Sequence, residues 1–289
     1  MAEKDIDQPT GIETTGHAWD GIKELNNPLP RWWLIVFWIC VIWSIGYWVL
    51  MPSWPGLTGY LKGTRHHSER ANVTEAIAAL DAQRAENTRR LLAAPNMQAI
   101  ENDPDLQSFA LAAGESLFGD NCATCHGAGG QGFKGFPNLN DDDWLWGGSL
   151  DQIRQTIRYG IRSGHSDAHV SIMQSYGAGG LLPSDTVSDL VQYVLSLSGA
   201  EHDAAAAARA APVFAQQCAM CHGAAGQGDQ AQGAPRLADP IWLYGGDATT
   251  IRETIWNGRG GVMPAWEGRL AEEEILALAV YVHSLGGGE

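Results

Sequence analysis

Apolar residues divide the chain into three regimes. Residues 32–51 read WWLIVFWICVIWSIGYWVLM, an uncharged run long enough to cross a bilayer as a helix. Trp32 and Trp33 at one end, and Trp48 and Trp54 at the other, suit the two interfaces; Pro30 and Pro52 bracket the run. A signal peptide fits poorly, because a polar, acidic segment precedes the run and no small-residue cleavage site follows it. Cys40 is then a small apolar packing residue within the span. The second regime begins with the helix breaker PSWPGLTG. It continues as a charge-rich helix from residue 70 to about 94, carrying Val73, Ile77, Leu80, Leu91 and Leu92. A solvated spacer is the reading of this stretch.

In the third regime helical periodicity occurs twice. Leading helices are expected at 109–121 and 206–217, middle helices near 150–159 and 249–256. Closing helices follow at DTVSDLVQYVLSL and EEEILALAVYVHSL. In the closing helices Leu190, Tyr193, Val194 and Leu197 match Leu278, Tyr281, Val282 and Leu285, one apolar face at i, i+3, i+4, i+7. No alternating strand pattern stands out, so an all-α fold is expected.

The two halves are copies. Cys122, Cys125, His126 and Gly132 recur 96 residues later as Cys218, Cys221, His222 and Gly228. Pro137, Leu139, Trp144, Ile153, Arg154 and Gly160 recur 98 residues later as Pro235, Leu237, Trp242, Ile251, Arg252 and Gly258. Two modules are the economical reading; a solenoid would need more repeats of a shorter period. The expected organisation is a segment 1–31, an anchor 32–52, a linker with a helix at 53–107, and modules at 108–199 and 206–289. Modules this small and glycine-rich bury a thin core, so something else is expected to fill their centres.

Each module carries one Cys-x-x-Cys-His: CATCHGAGGQG at 122–132 and CAMCHGAAGQG at 218–228. The spacing fits covalent attachment of haem through two thioethers, with the adjacent histidine as an axial iron ligand. A zinc site would want four ligands, and neither module offers a second cysteine pair. A thioredoxin-like pair would want a βαβ setting, which is missing. His126 and His222 are thus the first axial ligands. In the second module Met263, in GRGGVMPAW, is the only methionine after the motif, with His283 as a rival; Met220 lies between the cysteines and cannot reach the far face. The first module offers Met173, His165 and His169. The repeat favours Met173, with His169 second. Pro137 and Pro235 sit where a carbonyl could accept the second imidazole N–H. Trp144, Trp242, Arg154 and Arg252 could contact haem or its propionates, packing and surface roles being equally open. Glycines after each histidine let the chain pass close to the porphyrin.

The formal net charge of −15 argues against nucleic-acid binding. It either attracts a basic soluble partner or simply keeps the protein soluble. Four of the five cysteines lie in the two motifs, which is no disulfide framework. Basic residues do not orient the span: Lys4, Lys23 and Arg31 precede it, and Lys62, Arg65 and Arg70 follow it.

Two class I cytochrome c modules behind one anchor, preceded by HAWDGIKELNNPLPRWW, resemble the dihaem cytochrome c subunit (subunit III) of cbb3-type cytochrome c oxidase. The resemblance covers essentially the whole chain. It implies an all-α protein: one N-terminal transmembrane helix followed by two tandem class I cytochrome c domains. It implies two covalently bound haem c groups at Cys122, Cys125, Cys218 and Cys221, with proximal ligands His126 and His222 and distal ligands Met173 and Met263. The distal methionine of this family is usually followed by proline, as Met263 is and Met173 is not. The implied role is electron transfer from a donor cytochrome c toward a separate, multi-span catalytic subunit that reduces oxygen and pumps protons, with no active site in this chain. A second membrane-anchored cytochrome c subunit and membrane lipid complete the implied partners. Because c-type haem is attached outside the cytoplasm, the resemblance implies a bacterial inner-membrane protein with a cytoplasmic N-terminus and periplasmic haem domains. Carriage of electrons for another respiratory complex, or a dihaem peroxidase should one iron lack its distal ligand, are the competing readings.

Overall fold

In the computed structural model residues 5–286 are described; Lys4 and the other expectations that touch 1–4 and 287–289 lie outside them. The chain forms two compact units, one ending at Ala82 and one beginning at Gln83.

The first unit contains a hairpin that the helical reading did not anticipate. Strand β1 (Thr14–Trp19) pairs antiparallel with β2 (Ile22–Leu25). Asp20 and Gly21 join them, both at positive φ (51° and 83°), as a two-residue turn with the twist of a hairpin requires. Helix α1 (Arg31–Leu50) follows, with a mean hydropathy of 2.1 and no residue buried in protein. A helix apolar all round and uncovered by its own chain is a candidate membrane span. The short strands β3 (Pro55–Gly56) and β4 (Gly59–Tyr60) turn the chain back. Thr64 and Arg65 then donate their N–H groups to Val49 and Leu50 (2.9 and 3.0 Å), satisfying carbonyls that the end of α1 would leave bare. Helix α2 (Glu69–Leu92) is charged and largely exposed, apart from Leu91, which belongs to a core of the second unit.

The second unit is built from α3 (Met97–Glu101), α4 (Pro104–Asn121), α5 (Ala123–His126), α6 (Leu150–Tyr159), α7 (Ser184–Leu197), α8 (Ala204–Gln217), α9 (Ala219–His222), α10 (Ala248–Asn257) and α11 (Glu272–Ser284). Asp103, Asp203 and Asp247 start α4, α8 and α10 by accepting N–H groups of the first turn. Gly160 and Gly258 end α6 and α10 at positive φ.

The repeats are expected each to fold on itself, over 108–199 and 206–289. Their helices pack otherwise. The leading helix α4 and middle helix α6 of the first repeat are covered by α11, the closing helix of the second. The closing helix α7 of the first repeat packs on α8 and α10 of the second. The equivalent ring pairs follow suit: Phe118 meets Tyr281 at 5.4 Å, and Phe214 meets Tyr193 at 4.8 Å. One core is therefore continuous in sequence, its buried residues running from Val187 to Ile255; the other is assembled from the chain on either side of it. The physical reason is that α7 and α11 present the same apolar stripe, so either can cover a leading helix. The short link 198–203 then makes α7 the antiparallel neighbour of α8.

Arg154 and Arg252, considered above for haem contact, serve this exchange instead. Arg154 pairs with Glu272 of α11 (2.8 Å). Arg252 donates to the hydroxyls of Ser184 and Ser188 on α7 (both 2.9 Å). Both arginines thus secure the start of a helix from the other repeat.

The α4–α11 crossing turns on Gly114. A methyl there would lie 2.5 Å from both the Ala277 carbonyl oxygen and Tyr281 Cβ. Gly114→Ala is expected to destabilise the protein by about 1–3 kcal/mol through overpacking. Denaturant titration of the haem-loaded protein checks this; an unchanged midpoint would mean the helices do not cross at that point.

Candidate haem-binding sites

Each Cys-x-x-Cys-His begins where a long helix ends. Cys122 and Cys218 close α4 and α8, donating N–H to Phe118 and Phe214 (2.8 and 2.9 Å). One further turn, α5 or α9, brings the second cysteine and the histidine round. The chain then folds back on itself. Gly132 N–H reaches the His126 carbonyl (2.7 Å) and Leu139 N–H the Gly130 carbonyl (2.7 Å); Gly228 to His222 (2.9 Å) and Leu237 to Gly226 (2.7 Å) repeat the pattern.

This fold-back sets a proline carbonyl against each imidazole. His126 Nδ1 lies 3.1 Å from the Pro137 oxygen and His222 Nδ1 2.9 Å from the Pro235 oxygen. A carbonyl only accepts, so Nδ1 carries the proton and Nε2 keeps its lone pair. Burial holds both imidazoles below their ordinary pKa, outweighing the opposing pull of the hydrogen bond. The neutral form is the one that ligates a metal. As free thiols, Cys122 and Cys218 are pushed up to about 11 by burial, with Cys125 and Cys221 adding to the effect. Among the described residues, no three His, Cys, Asp or Glu side chains gather to hold a bare metal ion.

The methionine segments are exchanged like the helices. Met263 packs in the core that holds Cys122 and Trp144; Met173 packs in the core that holds Cys218 and Trp242. Spacing along the sequence had paired Met173 with His126 and Met263 with His222. The structure instead packs Met263 in the core of the first motif's Cys122, and Met173 in the core of the second motif's Cys218. The exchange is fixed by backbone pairing across the repeats. Ile161 and Met263 exchange N–H···O bonds (2.9 and 3.0 Å), as do Met173 and Arg259 (3.0 and 3.2 Å). Beyond each methionine, Trp266 N–H reaches the Ile157 carbonyl and Tyr176 N–H the Ile255 carbonyl. Gly160 and Gly258 make these approaches possible: at φ of 74° and 71°, a Cβ on either would stand 2.4 Å from the carbonyl oxygen of Met263 or Met173.

Both motifs and both methionines line one cavity of about 640 Å³. Its walls around the second motif are apolar, with Leu190, Val194, Phe214, Leu237, Ile251 and Ile255. The residues present fit a covalently held haem: paired thiols, an imidazole Nε2 and a thioether share an apolar cavity. In the first core the indole N–H of Trp144 is buried without a partner, a donor that an incoming acceptor such as a propionate would satisfy. Trp242 lines the cavity directly.

The rival ligands are engaged elsewhere. His169 Nε2 lies 3.1 Å from Thr156 Oγ1, and its ring stacks on Trp146 at 4.1 Å. His165 pairs with Glu267 (3.0 Å) and His283 with Glu101 (2.7 Å). Met220, between the cysteines, is 81% exposed. The sequence reading passed over Trp146, Tyr244, Arg162 and Arg259, which line the cavity between the two motifs. The only signal for them was their place just before or after the repeated Gly-Gly and Gly positions.

Comparison with known proteins gives a consistent result over the whole length. Residues 11–58 match the family described as the N-terminal domain of cytochrome oxidase-cbb3, FixP. Residues 109–194 and 205–282 each match the family described as cytochrome c oxidase, cbb3-type, subunit III. The chain is 52% identical to the cbb3-type cytochrome c oxidase subunit FixP of Bradyrhizobium sp., over 99% of this chain and 98% of that protein. It is 53% identical to the subunit of the same name from Azorhizobium caulinodans, covering 98% and 96%. It is 50% identical to the cbb3-type cytochrome c oxidase subunit CcoP of Cereibacter sphaeroides, covering 98% and 97%.

The glycine geometry gives a test of the exchanged pairing. Gly160→Ala, in the first repeat, is expected to displace the Met263 loop of the second, and Gly258→Ala the Met173 loop of the first. Each should cost about 1–3 kcal/mol, since alanine is strained at positive φ and meets a backbone carbonyl. Thermal unfolding together with hydrogen exchange at residues 262–264 and 172–174 checks both size and location. Loosening of the loop within the same repeat would contradict the pairing.

Proposed function

We propose, because the chain belongs to the subunit III family of cbb3-type cytochrome c oxidases, that it is the membrane-anchored electron-transfer subunit of such an oxidase. Its work is to take electrons from a donor cytochrome c and pass them toward a separate multi-span catalytic subunit that reduces oxygen. A second membrane-anchored cytochrome c subunit belongs to the same assembly. The chain itself holds no oxygen-reducing site, and proton pumping falls to the catalytic subunit. The observation that carries this reading is the pair of His–Met arrangements on one cavity, each beside a Cys-x-x-Cys-His.

Two haem c groups would be held, one through Cys122 and Cys125 and one through Cys218 and Cys221. Each supplies a one-electron change at iron. His126 and His222 provide Nε2, oriented by the carbonyls of Pro137 and Pro235. Met263 together with His126 would hold the haem of the first motif, and Met173 together with His222 that of the second. Sulfur as a ligand favours the reduced iron and raises the potential. Iron held by two protein ligands at each site would be closed to a substrate, which is what a carrier needs. Apolar walls around the second motif would exclude water there and so limit the solvent rearrangement that accompanies a change of charge. Helix α1 anchors the chain in the bacterial inner membrane with its N-terminus on the cytoplasmic side and the haem domains in the periplasm. A net charge of −15 would steer a basic donor toward those domains.

The ligand pairing is tested in proteins that keep one haem, made by replacing Cys122 and Cys125, or Cys218 and Cys221, with alanine. With only the second motif loaded, Met173→Leu should abolish the ferric methionine–iron charge-transfer band and lower the midpoint potential, while Met263→Leu should leave both. With only the first motif loaded, the roles should reverse. Loss of the band on replacing the methionine of the same repeat would refute the exchanged pairing. Failure of the intact, loaded chain to copurify with a multi-span haem–copper subunit would refute the assignment to an oxidase.

A further inference from the structure

The two methionine loops meet at a single side chain. The segment 160–162 leaves α6 and threads between them. On one side Ile161 exchanges backbone hydrogen bonds with Met263; on the other, Arg162 N–H donates to the His169 carbonyl (2.6 Å), in the stretch that leads to Met173. Arg162 stands at φ 51°, a left-handed conformation that non-glycine residues rarely adopt. What occupies the strained position is its guanidinium. Nε donates to the Gly261 carbonyl (2.5 Å), and Nη1 donates to the Ser171 carbonyl. Gly261 lies two residues before Met263, and Ser171 lies two residues before Met173.

We infer that Arg162 is a positioning residue shared by both haem sites, one guanidinium holding the approach to each distal methionine. The inference rests on the reading of Met173 and Met263 as ligands. Three observations support it. Among the described ion pairs none involves Arg162, so its hydrogen bonds go to the two loop carbonyls and not to a carboxylate. A planar guanidinium offers donors in fixed directions and so can hold two acceptors at once; a lysine ammonium is a point on a flexible stem. The repeat also supplies only one such residue, because the position equivalent to Arg162 in the second copy is Gly260. The two loops are thus tied at one point that belongs to neither site alone. A substitution there reaches both irons, whereas a substitution on the wall of either site reaches one.

The test uses the full-length, haem-loaded chain and the two single-haem backgrounds described above. Arg162→Gln is expected to weaken the ferric methionine–iron band, and to lower the midpoint potential, in both backgrounds. Carbon monoxide should then bind a fraction of each ferrous haem. Arg162→Lys should restore part of the band in both. A change confined to one haem would overturn the inference, as would no change at either. Should the glutamine variant not assemble, the lysine variant decides alone: a band weakened in both backgrounds supports the shared role, and an unweakened band in either refutes it. Absence of the band from the unsubstituted protein in either background is the separate result that removes the ligand reading beneath it.

Discussion

The crossing of α4 against α11 is the contact on which the rest of the second unit depends. Gly114 removes a side chain at the crossing, so the backbone of α11 can come close. Ala277, Leu278 and Val280 are then sealed against α4 and α6. With α11 committed to the first repeat, α7 must cover the second, and every further pairing follows. The chain leaving α11's N-terminus carries the 262–266 segment to the end of α6, and the chain entering α7 carries 173–177 to the end of α10. At the position equivalent to Gly114 the second repeat has Ala210, fully buried on α8. The two crossings are therefore alike in plan and differ in detail.

From this exchange comes the arrangement of the sites. A module folded on itself would own its cysteines, its histidine and its methionine. Here the thiols, imidazoles and methionines of both repeats line one cavity. The two sites consequently open on common space, bordered by Trp146, Arg162, Tyr244 and Arg259. Gly135 N–H binds the Leu243 carbonyl at 2.8 Å, so the cavity's lining is itself cross-linked between repeats. The two motifs thus share neighbours along one cavity.

Much of this was readable in the residues. The uncharged run at 32–51, the helix positions and the repeated Cys-x-x-Cys-His follow from spacing and composition, because they depend on local chemistry. The carbonyls of Pro137 and Pro235 were also within reach, since a Pro-x-Leu follows each histidine, 11 residues on in the first copy and 13 in the second. The hairpin at 14–25 escaped because its strands are short and exposed, although Asp20-Gly21 is a strong turn signal. The exchange of helices could not be read at all. Leu190, Tyr193, Val194 and Leu197 are chemically interchangeable with Leu278, Tyr281, Val282 and Leu285, so the apolar pattern is equally satisfied by either partner. What separates the alternatives is chain connectivity and two interactions distant in sequence, Arg154 with Glu272 and Arg252 with Ser184.

The nested order of the two cores also bears on how such a chain comes to be made. A polypeptide emerges N-terminus first. The inner core has all its parts once α10 has appeared, whereas the outer one waits for α11, which follows every other helix. The motif at 122–126 is therefore the first to be synthesised and the last to be covered. Its cysteines stay reachable for modification while the second half of the protein is still being produced, and the site that starts the series is the one that finishes it.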